Sequence, residues 1–257
     1  GGGFIGLEVA AVCRKMGKSV IVLEQSKTLM ARGIPSPLAS YYEEIHKRKG
    51  VHISLETKVE EIQIDEKGVR IAFNDDMRRV DAVVIGIGVL PNTELASNSD
   101  LYCQNGILTD SRGRTNDDAI FAAGDCACFF SKYYKKHVRL ESIQNAVDTA
   151  KIVAANMLGK EKEYDSVPWF WSDQYDLKLQ IAGILELYDD VVQTGSVQNN
   201  SFSNYYFFNG VHVGTASVNK PSDHMKSRKL LSVGSKLTRD VLRDPHFDLQ
   251  GFVKDHS

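Results

Sequence analysis

The feature that constrains this chain most is the stretch GGGFIGLEVA at its start. Gly1, Gly3 and Gly6 satisfy G-x-G-x-x-G, and the run passes directly into FIGLEVAAVCRKM (4–16), whose spacing predicts a helix with Gly17 as its left-handed stop. A glycine turn feeding a helix N-terminus is suited to holding phosphate. The first helical amides have no partner inside the helix, and the helix dipole favours negative charge there. Alone the motif is weak, because glycines also mark ordinary turns, but the next strand narrows the reading. SVIVLE (19–24) is a β-branched apolar strand that ends on Glu24, 18 residues beyond Gly6. An acid near that spacing accepts hydrogen bonds from the adenosine ribose in dinucleotide-binding folds. A carboxylate there repels a 2′-phosphate, favouring NAD(H) over NADP(H), with Lys27 as an opposing charge close by. Two readings of each acid stay open. Glu24 is either a ribose ligand or a solvated strand end, and the simple reading of Glu8 is an acid that suits the helix dipole. Such a loop normally follows a strand, and none precedes Gly1.

The order of elements downstream is α/β in style. SPLASYYEEIHKRK (36–49) predicts a second helix with Ser36 as N-cap and Gly50 past its end. Strands are expected at 51–57, 59–65 and 69–73. DAVVIGIG (81–88) reads as a strand buried on both faces of a parallel sheet, because it is almost wholly apolar. Composition shifts near Pro91. Strands are then expected at 107–110 and at AIFAAGD (119–125), followed by a helix over 142–158. Beyond Pro168 the stretches 177–185, 191–197, 203–209 and 211–218 alternate as an antiparallel sheet does, with Asn209-Gly210 as a type I′ hairpin signal. A helix over 222–233 closes this region.

Composition excludes several classes. A formal net charge of −2 gives no field to attract nucleic acid or an anionic membrane. No apolar run approaches the ~20 residues of a transmembrane helix. The four cysteines, at 13, 103, 126 and 128, form neither C-x-x-C nor zinc spacing, so no metal site is expected and a reducing, cytoplasmic setting fits best.

The segments VVIGIGVLPNTELA (83–96), TNDDAIFAAGDCA (115–127), RLESIQNAVDTAK (139–151) and PWFWSDQYDLKLQIAG (168–183) carry a more specific signal. Through them the chain resembles the two-dinucleotide flavoprotein reductases, in particular the FAD-dependent NADH:ferredoxin reductases of oxygenase systems, of the putidaredoxin reductase and biphenyl dioxygenase reductase type. The resemblance implies a Rossmann-like NAD-binding domain over 1–95 lacking its first strand, part of an FAD-binding domain over 96–165, and an α+β C-terminal domain with an antiparallel sheet over 166–257. Gly1, Gly3, Gly6 and Glu24 would form the NADH pyrophosphate and ribose site, with Ile87, Gly88 and Val89 as a second loop over it. Glu8 matches a glutamate beside the nicotinamide. Asp125 matches the carboxylate of the second FAD motif, Glu141, Ser142 and Gln144 match the segment along the flavin, and Trp171 matches the aromatic against the flavin–nicotinamide stack. For Trp171 a packing role at a domain junction remains open.

The family's first FAD motif and the lysine paired with the Glu8 equivalent have no counterpart, so the chain reads as the C-terminal two-thirds of a reductase. The expected function is electron transfer from NADH through FAD to a [2Fe–2S] ferredoxin that feeds a monooxygenase or dioxygenase. A rubredoxin, nitrite or disulfide reductase and a non-catalytic NADH-binding fragment are the alternatives. Lys132, Lys135, Lys136 and Arg139, on an expected hairpin, form a basic patch suited to an acidic ferredoxin.

Overall fold

A computed structural model describes residues 1–131, 134–244 and 246–256 as two compact units. The first comprises Gly1–Gly88 with Ser172–Leu179 and Leu185–Leu187. Helix α1 (Phe4–Lys15) leads to β1 (Val20–Leu23), α2 (Ser36–Arg48) and β2 (Val51–Ser54), and β1 and β2 pair in parallel. The helical crossover between parallel neighbours is the βαβ unit. In α2 the buried residues Leu38, Ala39, Tyr42, Ile45 and His46 recur at helical spacing and give one inward stripe. Its N-cap is Pro35 rather than the expected Ser36, which is the first helical residue; no side chain caps this end. A meander of β3 (Val59–Asp65), β4 (Gly68–Phe73) and β5 (Asp76–Val80) completes the unit's regular structure, and Arg79 pairs with Asp65 through two bonds of 2.7 and 2.9 Å.

The second unit contains the remaining residues from Val89 to Trp171, Gln180–Ile184 and Tyr188–Ser257. It runs through α3 (Glu94–Ser97), β6 (Ile107–Thr109), a 3-10 turn at Gly124–Cys126, β7 (Ala127–Ser131), β8 (Lys136–Val138) and α4 (Ile143–Met157). Strand β7 pairs in parallel with β6 and antiparallel with β8. Then come β9 (Trp169–Gln174) and β10 (Leu177–Gly183), whose residues 172–174 and 177–179 count with the first unit, and β11 (Asp190–Ser196), β12 (Ser201–Phe208) and β13 (Val211–Val218), in the sheet order β11-β12-β13-β10-β9. Helices α5 (Pro221–Ser232), α6 (Arg239–Arg243) and α7 (Leu249–His256) come last. One apolar core joins Val192, Tyr205 and Phe207 of the sheet to Leu230, Leu237, Leu242 and Val253.

Two expected strands are absent among the described residues. Residues 81–88 pair with no strand among the described residues, and Val84, Ile85 and Ile87 are exposed. An apolar, β-branched run favours extended backbone, but ladder hydrogen bonds need a neighbouring strand, which no described segment supplies. Residues 119–125 form only an isolated bridge between Arg114 and Phe121 before the 3-10 turn, and the strand begins at Ala127 instead. The glycine and aspartate at the end of this run make a turn, where Gly124 has φ +77°. The 209–210 hairpin forms as expected, with φ +50° at Asn209 and +75° at Gly210.

Candidate functional site

The opening glycines answer to different neighbours. A Cβ on Gly6 would lie 2.1 Å from the Gly1 carbonyl oxygen, and one on Gly1 would lie 2.2 Å from the Gly86 oxygen. Both are excluded by the protein's own backbone. A Cβ on Gly3 would meet nothing within 4 Å. Gly3 caps α1 with extended backbone (φ −76°, ψ −179°) and no side-chain hydrogen bond, so no capping side chain occupies the space beside the first turn. Tight turn, open approach and close packing are the three roles that glycines play in a dinucleotide loop.

Glu24 lies beside this loop. Its Oε2 accepts from the Gly2 amide at 2.6 Å and its Oε1 from the Ser26 amide at 2.7 Å. Burial works against the charged form, but the Ser26 and Gly2 amides outweigh it and hold the carboxyl below its usual range. Each oxygen keeps a further acceptor position. Ile87 and Gly88 belong to the same unit, and Arg32, which the sequence reading missed, donates to the Ile87 carbonyl at 3.2 Å. Val89 begins the second unit.

Glu8, in α1, accepts from the Ser172 hydroxyl at 2.6 Å. Ser172 in turn meets Gln174 Nε2 at 3.1 Å, Gln174 Oε1 meets His46 Nε2 at 2.8 Å, and His46 Nδ1 meets the Tyr175 hydroxyl at 3.1 Å. Ser172, Gln174 and His46 are fully buried, and burial lowers the His46 pKa. None of these partners was singled out from sequence. The one available signal was the two-residue spacing of Ser172 and Gln174, which puts both on one face of a strand.

The remaining candidates lie in the second unit. Asp125 sits in the 3-10 turn, exposed, with no hydrogen bond to its carboxylate among the described residues. Glu141 pairs with Arg139 at 2.7 Å, and Arg139 also donates to the Asp125 carbonyl at 3.2 Å and to Asn105 at 3.2 Å. Ser142 is the N-cap of α4, accepting from the Asn145 amide at 3.1 Å. Gln144 is buried and clamps Asp148 at 2.7 Å and the Tyr164 hydroxyl at 3.1 Å. Trp171 is 42% exposed and lies against Trp169, with ring centroids 5.5 Å apart. Of the basic patch, Lys132 lies outside the described residues. Lys135 and Lys136 are exposed on the β7–β8 hairpin, and Arg139 is enclosed by its partners, with a side chain only 10% exposed. No described helix is long and apolar enough to cross a membrane.

Comparison with known proteins shows the chain's family. Residues 1–150 match the pyridine nucleotide-disulphide oxidoreductase family, and residues 169–253 match the reductase C-terminal family. Rhodocoxin reductase of Rhodococcus erythropolis is 45% identical over 258 residues, covering 100% of this chain and 60% of its own length. The crystal structure of the ferredoxin reductase for the CYP199A2 system from Rhodopseudomonas palustris superposes with a TM-score of 0.94 at 39% identity, covering 100% of this chain and 63% of that one. The covalent putidaredoxin reductase–putidaredoxin complex gives a TM-score of 0.94 at 33% identity, over 100% of this chain and 62% of that one. The chain therefore spans about 60% of the length of the curated relatives it matches. This chain is therefore a member of the pyridine nucleotide-disulphide oxidoreductase family and carries a reductase C-terminal region.

Proposed function

We propose that this chain forms the NADH-binding and C-terminal parts of an FAD-dependent reductase that passes electrons to a [2Fe–2S] ferredoxin of an oxygenase system, in the cytoplasm. The observation that carries the reading is Gly3. No described residue requires a glycine there, whereas a pyrophosphate approaching the α1 amides does. In this reading the α1 N-terminus binds the pyrophosphate, Glu24 accepts from the ribose hydroxyls, and the 87–89 loop covers the cofactor. Glu8 orients the nicotinamide and Trp171 packs against the ring stack.

Asp125, presented on a tight turn with its carboxylate unpaired among the described residues, fits an acceptor for the hydroxyl-rich ribityl chain of FAD. Ser142 and Gln144 fix the path of the backbone toward the flavin, because their side chains are committed to the α4 cap and to Asp148 and Tyr164. Bound FAD supplies the conversion of a two-electron hydride donor into one-electron steps. The protein's part is position, electrostatics and exclusion of water.

The partner class rests on the relatives, whose names are those of ferredoxin-type reductases, and on the basic hairpin tip at Lys135 and Lys136. The test is the visible spectrum of the full-length protein before and after NADH is added without oxygen, with a [2Fe–2S] ferredoxin added afterwards. Bleaching of a flavin band and its recovery on ferredoxin reduction is the expected result. A colourless protein that takes up no FAD would overturn the reading and leave a nucleotide-binding module.

A further inference from the structure

Glu8, Ser172, Gln174, His46 and Tyr175 form one unbroken chain of side-chain hydrogen bonds, and the charge on Glu8 fixes every proton in it. A carboxylate only accepts, so the Ser172 hydroxyl donates to Glu8 Oε1 across 2.6 Å. That is the hydroxyl's single proton. Ser172 Oγ must therefore accept from Gln174, which turns the amide NH₂ toward it at 3.1 Å, with a weaker contact to Met30 Sδ at 3.6 Å. The Gln174 carbonyl then faces His46 and requires a proton on Nε2, at 2.8 Å. His46 is buried and kept neutral, so Nδ1 is bare and accepts from the Tyr175 hydroxyl at 3.1 Å. Every donor points the same way, from Tyr175 to Glu8, an arrangement in which successive bonds polarise one another.

The fold accepts a cost to keep this chain. Three polar side chains are removed entirely from water. Tyr175 sits in the two-residue turn between β9 and β10, where its left-handed backbone (φ +59°) follows from the hairpin geometry.

We propose that Ser172, Gln174, His46 and Tyr175 are positioning residues that grip Glu8 by one oxygen and so fix its carboxylate at the nicotinamide end of the NADH site. The choice of nicotinamide as target rests on the reductase reading; the order of protons does not.

The test has two arms, both in the full-length protein. Long-range proton–nitrogen correlation of ¹⁵N-histidine-labelled protein should show His46 in a single form, protonated at Nε2 and bare at Nδ1. Ser172→Ala frees the Gln174 amide to turn, so the single form should give way to a mixture, and Ser172→Thr should restore it. Glu8→Leu should produce the same mixture from the other end of the chain. A His46 protonated at Nδ1 in the unaltered protein, or a pattern that neither Ser172→Ala nor Glu8→Leu changes, overturns the proton order. In the second arm, hydride transfer from NADH should slow about tenfold in Ser172→Ala, the scale of a small misplacement, and recover in Ser172→Thr. An unchanged rate beside a changed tautomer overturns the positioning role. If the unaltered flavoprotein is not reduced by NADH at all, the reductase reading fails and the tautomer result still judges the chain of protons.

Discussion

The carboxylate of Glu24 accepts the amide of Gly2 at 2.6 Å, so the acid expected to read the ribose also ties down the loop expected to hold the pyrophosphate. Both oxygens are already engaged, one by Gly2 and one by Ser26, which fixes the carboxylate before any ligand arrives. Glu24→Ala should therefore weaken NADH binding by about tenfold and narrow the preference for NADH over NADPH, since a charge-assisted bond and a repulsive charge are lost together. Titration of the full-length protein with both nucleotides checks it. Equal loss for the two would mean that Glu24 supports the loop without reading the ribose.

The same carboxylate gives a pH dependence. Its folded pKa lies below that of an unfolded glutamate, so the unfolded state takes up the proton first as pH falls. The stabilisation is fully present above the ordinary glutamate range near pH ~4.3 and is lost only as pH drops through the lower, folded value. Nucleotide binding, measured by titration at stepped pH, should thus persist in mild acid.

His212 acts in a higher window. It is buried, bonded to Ser235 at 3.0 Å and Thr215 at 2.8 Å, and burial lowers its pKa to about 4. Between pH ~6.5 and that value the unfolded imidazole is protonated and the folded one is not, so acid favours unfolding. The loss should be about 2 kcal/mol by pH 5. Urea denaturation at pH 7.5 and pH 5 measures it, and His212→Gln should flatten the difference.

The opening glycines separate a ligand's demand from the fold's. Gly6→Ala places a Cβ 2.1 Å from the Gly1 oxygen and should cost about 1–3 kcal/mol of stability. Gly3→Ala meets no protein atom within 4 Å and should cost at most about 1 kcal/mol, while weakening NADH binding at least tenfold. Thermal melts with and without NADH distinguish the two. A Gly3→Ala protein that binds NADH normally would remove the main support for the nucleotide site.

Lys135→Glu with Lys136→Glu should slow ferredoxin reduction about tenfold at low salt, with the difference fading as salt rises. Arg139 is a poor member of that patch, because Glu141, Asn105 and the Asp125 carbonyl hold its guanidinium. Unchanged kinetics at low salt would place the docking surface elsewhere.

Features decided within a few residues were legible in the sequence. The glycine loop and α1, the acid at the end of β1, the Asn209-Gly210 hairpin and the alternating strands around it all depend on local backbone preference and periodicity. Tertiary structure decided what depends on a distant partner. The 81–88 run is apolar enough for a buried strand, but a ladder needs a second strand that local composition does not specify, and none pairs with it among the described residues. Ser142 and Gln144 carry a motif in the sequence, yet only the fold shows their side chains spent on a helix cap and a buried clamp. Glu8 meets Ser172 across 164 positions, and His46 meets Gln174 across 128. A hydrogen bond over such separations leaves no trace in local spacing, because proximity is created by folding and not by the chain's own period.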